Sequence, residues 1–416
     1  MKALVTLSVA LALSGADAAA EPASPTYAEL VAEAQAAFAA EDFGLAVTRL
    51  DAAQAFRPYS LFLTRNRVLA RFLAGDTAGA QALASAVAAR GLALDLPATE
   101  AFDRLRADAA FADVLARFEE NRKPLGTARI AAEHPETGLL PEAIAKAEGG
   151  FLIGSVRTGA VMTLRGGALT EIMRLEGGVF DIEAADDGSV AYAVVNNQLA
   201  YEGAGARPPE AAVIKVNLDT GEVHWKSVAG NGDALLGDVE VLGSTLFASD
   251  SLSTRIFAHA AGREPQILSA DDRFVNLQGV AADRKKGRMF VADYLTGLFV
   301  IDVDSGEVTP LANPSDAHLG GIDGLYLYKG DLIGVQNGTT PQRIVRIDLD
   351  RKGTSARSLT VLQQALPEWN EPTHGIIDGD RFVYIATSNW PAYGDDGAIR
   401  EGAVLQPLRL MSVDLN

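Results

Sequence analysis

The segment QGVAADRKKGRMFVADYLTGLFVIDVDSGEVT, from Gln278 to Thr309, decides the fold. It contains four short apolar runs, which begin at Gln278, Met289, Leu298 and Glu307, and turn-forming residues separate them. Alternating apolar residues between Gly, Asp and Ser are typical of strands joined by hairpins. The segment therefore predicts one antiparallel unit of four strands.

The same pattern recurs along the chain. A clear second copy begins at Asp323, and weaker copies begin at Glu142, Asp181, Asp238 and His374. The first strand thus recurs at intervals of 39, 57, 40, 45 and 51 residues. Units of this size are typical of propeller blades, so the sequence predicts a mainly β fold, a six-bladed β-propeller. The competing all-β fold, an open sandwich, offers no role for a six-fold repeat.

The two ends of the repeat region predict how the ring closes. The last strand, Leu408–Leu415, resembles third strands of other blades, and no fourth strand follows it. Residues Thr127–Ala131 precede the first copy and have no other place in the repeat. We expect them to complete the sixth blade and cover its open edge. The predicted propeller domain spans residues 125–416.

Residues 26–122 show a different, helical period. Small residues such as Ala34, Ala46 and Ala53 alternate with larger ones at spacings that resemble a tetratricopeptide repeat. A weaker second repeat passes through Gly75, and one further helix is predicted over residues 98–118. This small all-α domain has two interpretations: a groove that binds a partner protein, or a cap on the propeller.

The first 20 residues have the composition of a secretory signal peptide. Lys2 precedes an apolar run over residues 3–13, and small residues follow up to Ala20. The run is shorter than the roughly 20 residues that a membrane span needs, and no later stretch is longer. The sequence therefore predicts export to the periplasm or the exterior, without a membrane span.

Composition excludes several classes of function. Of the 416 residues, 48% are hydrophobic and 22% are charged, which is ordinary for a globular protein. The net charge of -18 would repel a phosphate backbone, so no nucleic-acid partner is expected. The chain has no Cys, so any metal must bind to oxygen or imidazole ligands.

The innermost strands of a propeller surround one channel, so the first residues of these strands are predicted to form a ring around one mouth of the channel. All members of this ring are polar: Glu142, Asp181, Asp238, Gln278, Asp323 and His374. Carboxylate and amide oxygens suit a hard cation such as calcium; without a cation, crowding would raise the carboxylate pKa values. Alternatively, the channel is wet and binds nothing. His374 is either a general base or a residue that holds a loop.

The ends of the second strands are predicted to point towards the same mouth. Their residues are Arg157, Asp250, Asp293, Asn337, Asn389 and Trp390. Arg157 and Trp390 have two interpretations: they orient an anionic or ring-shaped substrate, or they serve only in packing.

Four short motifs resemble those of one family. Leu140–Ala145, Asn276–Ala281, Val291–Tyr294 and Gly321–Leu325 are similar to motifs of the regucalcin, gluconolactonase and strictosidine-synthase-like propellers. The resemblance extends from about residue 141 to residue 390. It implies a six-bladed propeller with a divalent cation, usually calcium, at one mouth.

The resemblance also implies a ligand set and an activity. The cation would be held by Glu142, Gln278 and Asp323, although Gln278 stands where the family usually has Asn. Similar enzymes hydrolyse sugar lactones, so the implied substrate is a lactone or other small ester, with Asp323 or His374 as the base. A non-catalytic scaffold that binds a partner through its helices is the alternative. A lyase or condensing enzyme on the same scaffold also stays open.

Overall fold

A computed structural model describes residues 24–185, 188–198, 200–261 and 263–416. In this part of the chain a small helical domain precedes a β-propeller of six four-stranded sheets, as predicted. The predicted signal peptide, residues 1–20, lies outside the described residues. None of the helices within the described ranges is both long and apolar enough to cross a bilayer.

The helical domain consists of antiparallel helices whose contacts involve small residues. Ala34, Ala46 and Ala53 are buried between the first two helices. Asp42 and Asp76 cap the N-termini of the second and fourth helices with their carboxylates. The helices are α1 (Tyr27–Ala39), α2 (Phe43–Phe56), α3 (Leu61–Leu73), α4 (Thr77–Ala89), α5 (Glu100–Ala107) and α6 (Ala112–Asn121).

The single helix predicted over residues 98–118 is wrong, because two helices occupy this region. Helix α5 ends at Ala107, and a short 3₁₀ turn, Ala109–Phe111, precedes α6. The Asp108 carboxylate accepts a hydrogen bond from the backbone N–H of Ala110 at 2.9 Å. This local bond competes with continuation of the helix and explains the break.

The six blades follow one another along the chain, and each runs from the channel outwards. Blade 1 contains β2 (Pro141–Ala147), β3 (Gly150–Ser155), β4 (Ala160–Arg165) and β5 (Ala168–Arg174). Blade 2 contains β6 (Gly178–Ala184), β7 (Val190–Asn196), β8 (Ala211–Asn217) and β9 (Val223–Gly230). Blade 3 contains β10 (Leu236–Leu242), β11 (Thr245–Asp250), β12 (Arg255–His259) and β13 (Gln266–Ser269).

The remaining blades have the same plan. Blade 4 contains β14 (Leu277–Asp283), β15 (Arg288–Asp293), β16 (Gly297–Asp302) and β17 (Val308–Pro310). Blade 5 contains β18 (Leu325–Tyr328), β19 (Asp331–Gln336), β20 (Arg343–Leu349) and β21 (Ala356–Gln364). Blade 6 contains β22 (Gly375–Asp378), β23 (Arg381–Ile385), β24 (Leu408–Asp414) and, as its outermost strand, β1 (Ile130–His134).

The ring closes as predicted, but the closing strand lies three residues later than expected. Strand β1 pairs antiparallel with β24 from Ile130 onwards. The residues before it already serve blade 5, because Leu125 forms a bridge with Gln364 and the Gln363 side chain donates to the Thr127 carbonyl at 2.7 Å. These contacts fix the start of β1.

Bulges at the start of the inner strands turn the ring residues towards the channel. The register of β2 against β3 shifts at Glu142, and that of β14 against β15 shifts at Gln278. Such a bulge re-aims a side chain without ending the strand. Gly279 then allows blade 5 to approach closely, since a Cβ at this position would lie 2.4 Å from the Asp323 carbonyl oxygen.

The helical domain packs on the loops that follow the second strands of blades 4 and 5. The backbone N–H of Tyr59 donates to the Leu295 carbonyl at 3.1 Å, and that of Ala93 donates to the Thr340 carbonyl at 2.7 Å. Arg343 is buried and donates to the Arg90 carbonyl at 3.1 Å. The helices therefore lie on the same end of the propeller as these loops.

Candidate functional site

A cavity of about 360 Å³ lies at that end of the channel. Four of the six predicted ring residues line it: Glu142, Gln278, Asp323 and His374. The other two, Asp181 and Asp238, line a larger cavity of about 710 Å³ that opens at the other end. The prediction that all six residues surround one mouth is therefore wrong for Asp181 and Asp238, and the ring is divided between the two mouths.

One group in the first cavity has the composition of a metal site. Glu142, Asp323 and His374 each offer a ligand atom, and these atoms lie within 4.8 Å of one another. Glu142 is 6% exposed and His374 is 4% exposed. Each comes from a different blade, so only the closed ring brings the three together.

Side-chain donors hold both carboxylates of this group in place. The indole Nε1 of Trp390 donates to Oε2 of Glu142 at 2.7 Å. Nδ2 of Asn337 donates to Oδ2 of Asp323 at 2.6 Å, and the Tyr294 hydroxyl donates to Oδ1 of Asn337 at 2.8 Å. In each carboxylate, one oxygen carries the hydrogen bond described here, and the other makes no hydrogen bond among the described residues.

His374 is oriented by a carboxylate behind it. Its Nδ1 lies 3.6 Å from Oδ1 of Asp181 and makes no hydrogen bond among the described residues. This leaves Nε2 as the ring nitrogen available to the cavity. Asp181 and Asp238 are themselves held by backbone donors, because Val239 donates to both carboxylates at 2.9 Å and Val280 donates to Asp238 at 2.8 Å.

Burial perturbs the titration of every member of the group. It raises the pKa of Glu142 to about 8, and the nearby Asp323 carboxylate adds to the rise. Burial also raises the pKa of Asp323. For His374, burial alone would lower the pKa, but the carboxylates of Asp181, Asp238 and Glu142 outweigh it and hold the pKa well above its usual range. Strong shifts of this kind are typical of functional sites.

Gln278, the predicted amide ligand, lies in the same cavity. Its Nε2 donates to Oδ1 of Asn276 at 2.6 Å, so this hydrogen bond does not use its amide oxygen. Asn276 also lines the cavity. All three predicted ligands are therefore at one site, and His374 joins them.

The residues predicted at the ends of second strands have different roles. Asn337 and Trp390 line the cavity, whereas Arg157 and Asn389 do not. Arg157 donates to the Ala200 carbonyl at 2.9 Å, and Asn389 exchanges two hydrogen bonds with the backbone of Gln406. Asp250 and Asp293 are fully buried and accept backbone N–H groups of adjacent loops.

Among the cavity residues with an ionisable side chain, two were not predicted from the sequence, Tyr294 and Glu371. Glu371 precedes the ring residue His374 by three positions and has a positive φ of 58°. Burial raises its pKa to about 7, with a further contribution from Asp323. The sequence gives only a weak signal for Glu371, because a loop residue before a strand has no fixed position in the repeat.

Comparisons with known proteins concern the fold. No protein-family model matches the chain, and no curated protein matches it. The chain is a six-bladed β-propeller with a helical domain before it. It is similar to the PQQ-bound form of an aldose sugar dehydrogenase from Streptomyces coelicolor, with 16% identity, 70% of this chain and 100% of that chain covered, and a TM-score of 0.47.

Two further solved structures resemble it to the same degree. A gluconolactonase from Xanthomonas campestris is 12% identical, with 70% of this chain and 99% of that chain covered and a TM-score of 0.46. A structure described as a putative oxidoreductase (glucose dehydrogenase) from Thermus thermophilus is 16% identical, with 69% and 99% covered and a TM-score of 0.47. One fold carries different reactions, so the function has to be argued from the site.

Proposed function

We propose that this protein is an exported, metal-dependent hydrolase that opens a lactone or another small ester, with calcium as the expected ion. The observation that supports the proposal best is the convergence of Glu142, Asp323 and His374 within 4.8 Å at the wall of an open cavity. The substrate is a small molecule, since the cavity measures about 360 Å³.

The donor set fits a divalent cation. Glu142 and Asp323 offer carboxylate oxygens and Gln278 offers an amide oxygen, which are ligands that calcium prefers. The imidazole of His374, with Asp181 behind it, is a ligand that transition metals prefer. A cation bound here would take the place of the proton that burial otherwise keeps on Glu142, whose pKa is about 8.

The residues of the cavity suit ester hydrolysis. A bound cation polarises a carbonyl and lowers the pKa of a coordinated water. Asp323, whose carboxylate is oriented by Asn337, is the base that accepts the proton of the attacking water. As the carbon–oxygen bond of the ester breaks, the leaving oxygen takes a proton from Glu371, whose pKa of about 7 keeps much of this side chain protonated near neutrality.

The test combines metal binding with turnover. The protein without its first 20 residues is stripped with chelator, and melting temperatures are measured with calcium, manganese and zinc. A ligand that binds only the folded state at 100 times its dissociation constant adds about 2.7 kcal/mol. Hydrolysis of D-glucono-1,5-lactone and of simple esters is followed by pH-stat with the ion that gives the largest shift.

Variants make this test specific. Glu142→Gln and Asp323→Asn should lose both the thermal shift and the turnover. Asp272→Asn, which removes an exposed carboxylate outside the cavity, should keep both. If no divalent cation shifts the melting temperature of the parent protein, the metal site is refuted. A thermal shift without hydrolysis of any ester would instead support a binding protein whose helical domain contacts a partner.

Export is a separate part of the proposal and has its own test. The full-length chain with a C-terminal tag is expressed in a Gram-negative host, and the cells are fractionated. We expect the mature form in the periplasm or the medium, shortened by about 20 residues by mass. Full-length protein in the cytoplasm would refute export.

A further inference from the structure

A second cavity adjoins the first through two shared residues. It measures about 340 Å³, and its walls include Trp390, Tyr393, Asp395 and Arg400. Trp390 and Glu371 line both cavities. The two spaces therefore share a wall that carries the indole donor to Glu142. We refer to the second space as the side cavity.

The side cavity is built largely by one long loop. The connection between the second and third strands of blade 6 spans residues 386–407, whereas the same connection spans only residues 251–254 in blade 3 and 294–296 in blade 4. Long loops at the functional end of a rigid scaffold commonly carry specificity. This loop is far longer than closure of the blade requires.

The loop is ordered by its own hydrogen bonds. Residues 392–400 form a small hairpin, in which Arg400 donates to the Ala392 carbonyl and Gly394 donates to the Ala398 carbonyl, each at 2.8 Å. Arg157 attaches the hairpin to blades 1 and 2, because its guanidinium donates to the carbonyls of Ala200 and Gly397. The hairpin is thus a fixed wall of the side cavity.

Several polar groups of this wall have no partner among the described residues. Tyr393 is only 4% exposed, and its buried hydroxyl makes no hydrogen bond among the described residues. Arg400 and Asp395 are exposed. Arg400 uses Nε to donate to the Tyr393 carbonyl, and its two terminal nitrogens and the Asp395 carboxylate make no bond within the described chain. A buried polar group without a partner calls for a ligand or a water.

The chemistry of the wall favours a neutral, hydroxylated ring. Two aromatic side chains provide flat apolar surface. Two carboxyl groups and one guanidinium provide acceptors and donors on the same wall, which suits hydroxyl groups because a hydroxyl both donates and accepts. The excess of acidic groups disfavours an anion.

We propose that the side cavity is a subsite for an uncharged, sugar-like ring, and that the substrate is a lactone or ester that carries such a second ring. This inference rests on the proposed hydrolysis at Glu142, Asp323 and His374. Binding of a remote ring contributes to catalysis by holding the reacting ester in position. The subsite therefore affects the preference between substrates.

The experiment compares a one-ring and a two-ring lactone of the same reacting end, D-glucono-1,5-lactone and cellobiono-1,5-lactone. We expect kcat/KM of the metal-loaded parent protein to be at least tenfold higher for the two-ring lactone. Asp395→Ala and Arg400→Ala should reduce this ratio to within twofold of one, while kcat/KM for the one-ring lactone stays within twofold of the parent value. Glu401→Ala, an exposed residue outside both cavities, should keep the full ratio.

Two results would overturn the subsite: equal kcat/KM for both lactones in the parent protein, or an unchanged ratio in both side-cavity variants. If the protein hydrolyses neither lactone, the subsite is tested by calorimetry with gluconate and cellobionate, and the hydrolase is tested on the simple esters. At least tenfold tighter binding of cellobionate, lost in Asp395→Ala, would support the subsite. Equal binding, or no binding of either acid, would refute it.

Discussion

Replacing Trp390 by Phe should weaken cation binding without disturbing the fold. The substitution removes one specific contact, the indole N–H that donates to Oε2 of Glu142 at 2.7 Å. This distance is typical of a charge-assisted hydrogen bond. The bond fixes one oxygen of a carboxylate that lies beside Asp323 and His374. Without the bond, Glu142 loses both its orientation and a donor that stabilises its charged form.

The size of the effect follows from the chemistry of this bond. A hydrogen bond to a charged group contributes about 1.5–3 kcal/mol, and each 1.4 kcal/mol changes an equilibrium constant tenfold. Water from the cavity of about 360 Å³ can replace part of the lost bond, so the lower end of this range applies. We therefore expect the dissociation constant of the cation to rise about tenfold. Loss of outer donors to metal ligands generally has effects of this order.

Calorimetric titration of the chelator-treated protein with the preferred cation measures this constant directly. Trp225→Phe is the matched control, because Trp225 lies on the outer strand β9, packs against Tyr192 and does not line the cavity. It should leave the dissociation constant unchanged. Cation affinity in Trp390→Phe within twofold of the parent value, with an unchanged melting temperature, would refute the role given to the indole.

Three further predictions concern stability. Burial lowers the pKa of His318 to about 3, below the unfolded value of about 6.5, so the unfolded chain binds a proton at a pH where the folded protein does not. The stability of the folded protein is therefore complete above pH 6.5 with respect to this group, and about 2 kcal/mol should be lost between pH 6.5 and pH 5. Urea unfolding of the parent and of His318→Asn would measure this as a shallower pH slope in the variant. Arg343→Met leaves the Gln336 amide oxygen without its buried donor and should lower the free energy of unfolding by about 3 kcal/mol, with new proteolysis near residues 122–129. Gly279→Ala forces a Cβ to within 2.4 Å of the Asp323 carbonyl, so it should cost about 1–3 kcal/mol and weaken cation binding in the same titration.

Each of these has a result that would contradict it. An identical pH slope in His318→Asn would mean that another group controls acid unfolding. Unchanged stability of Arg343→Met would show that the contact between the helices and blade 5 carries little energy. A stable Gly279→Ala protein with normal cation affinity would mean that the two strands can separate without moving Asp323.

The blade pattern and the ring positions could be predicted from the sequence because strand alternation is local. Glu142, Gln278, Asp323 and His374 share one phase of a repeat, and any propeller must bring that phase to one channel. The start of β1 could not be predicted, because contacts of Leu125 and Thr127 with the distant blade 5 decide it. Local hydrogen bonding likewise broke the helix expected over residues 98–118.

The side cavity could not be predicted for a different reason. Loop residues such as Glu371 and Tyr393 have no periodicity, so the sequence gives no sign of which wall they join. Their places depend on the hairpin of residues 392–400 and on Arg157, which the sequence suggested as a substrate contact. In the structure Arg157 supports the wall instead.

The acidic residues at the channel divide by the type of donor that satisfies them. Asp238 and Asp293 accept backbone N–H groups, and these donors cannot leave without moving the backbone of a strand or loop, so the carboxylates are committed to structure. Glu142 and Asp323 are held by the side chains of Trp390 and Asn337, and each has a second oxygen without a hydrogen bond among the described residues. A carboxylate that is held through one oxygen by a side chain is oriented and still free to bind. This difference, which composition and phase do not reveal, separates the candidate site from the equally acidic residues around it.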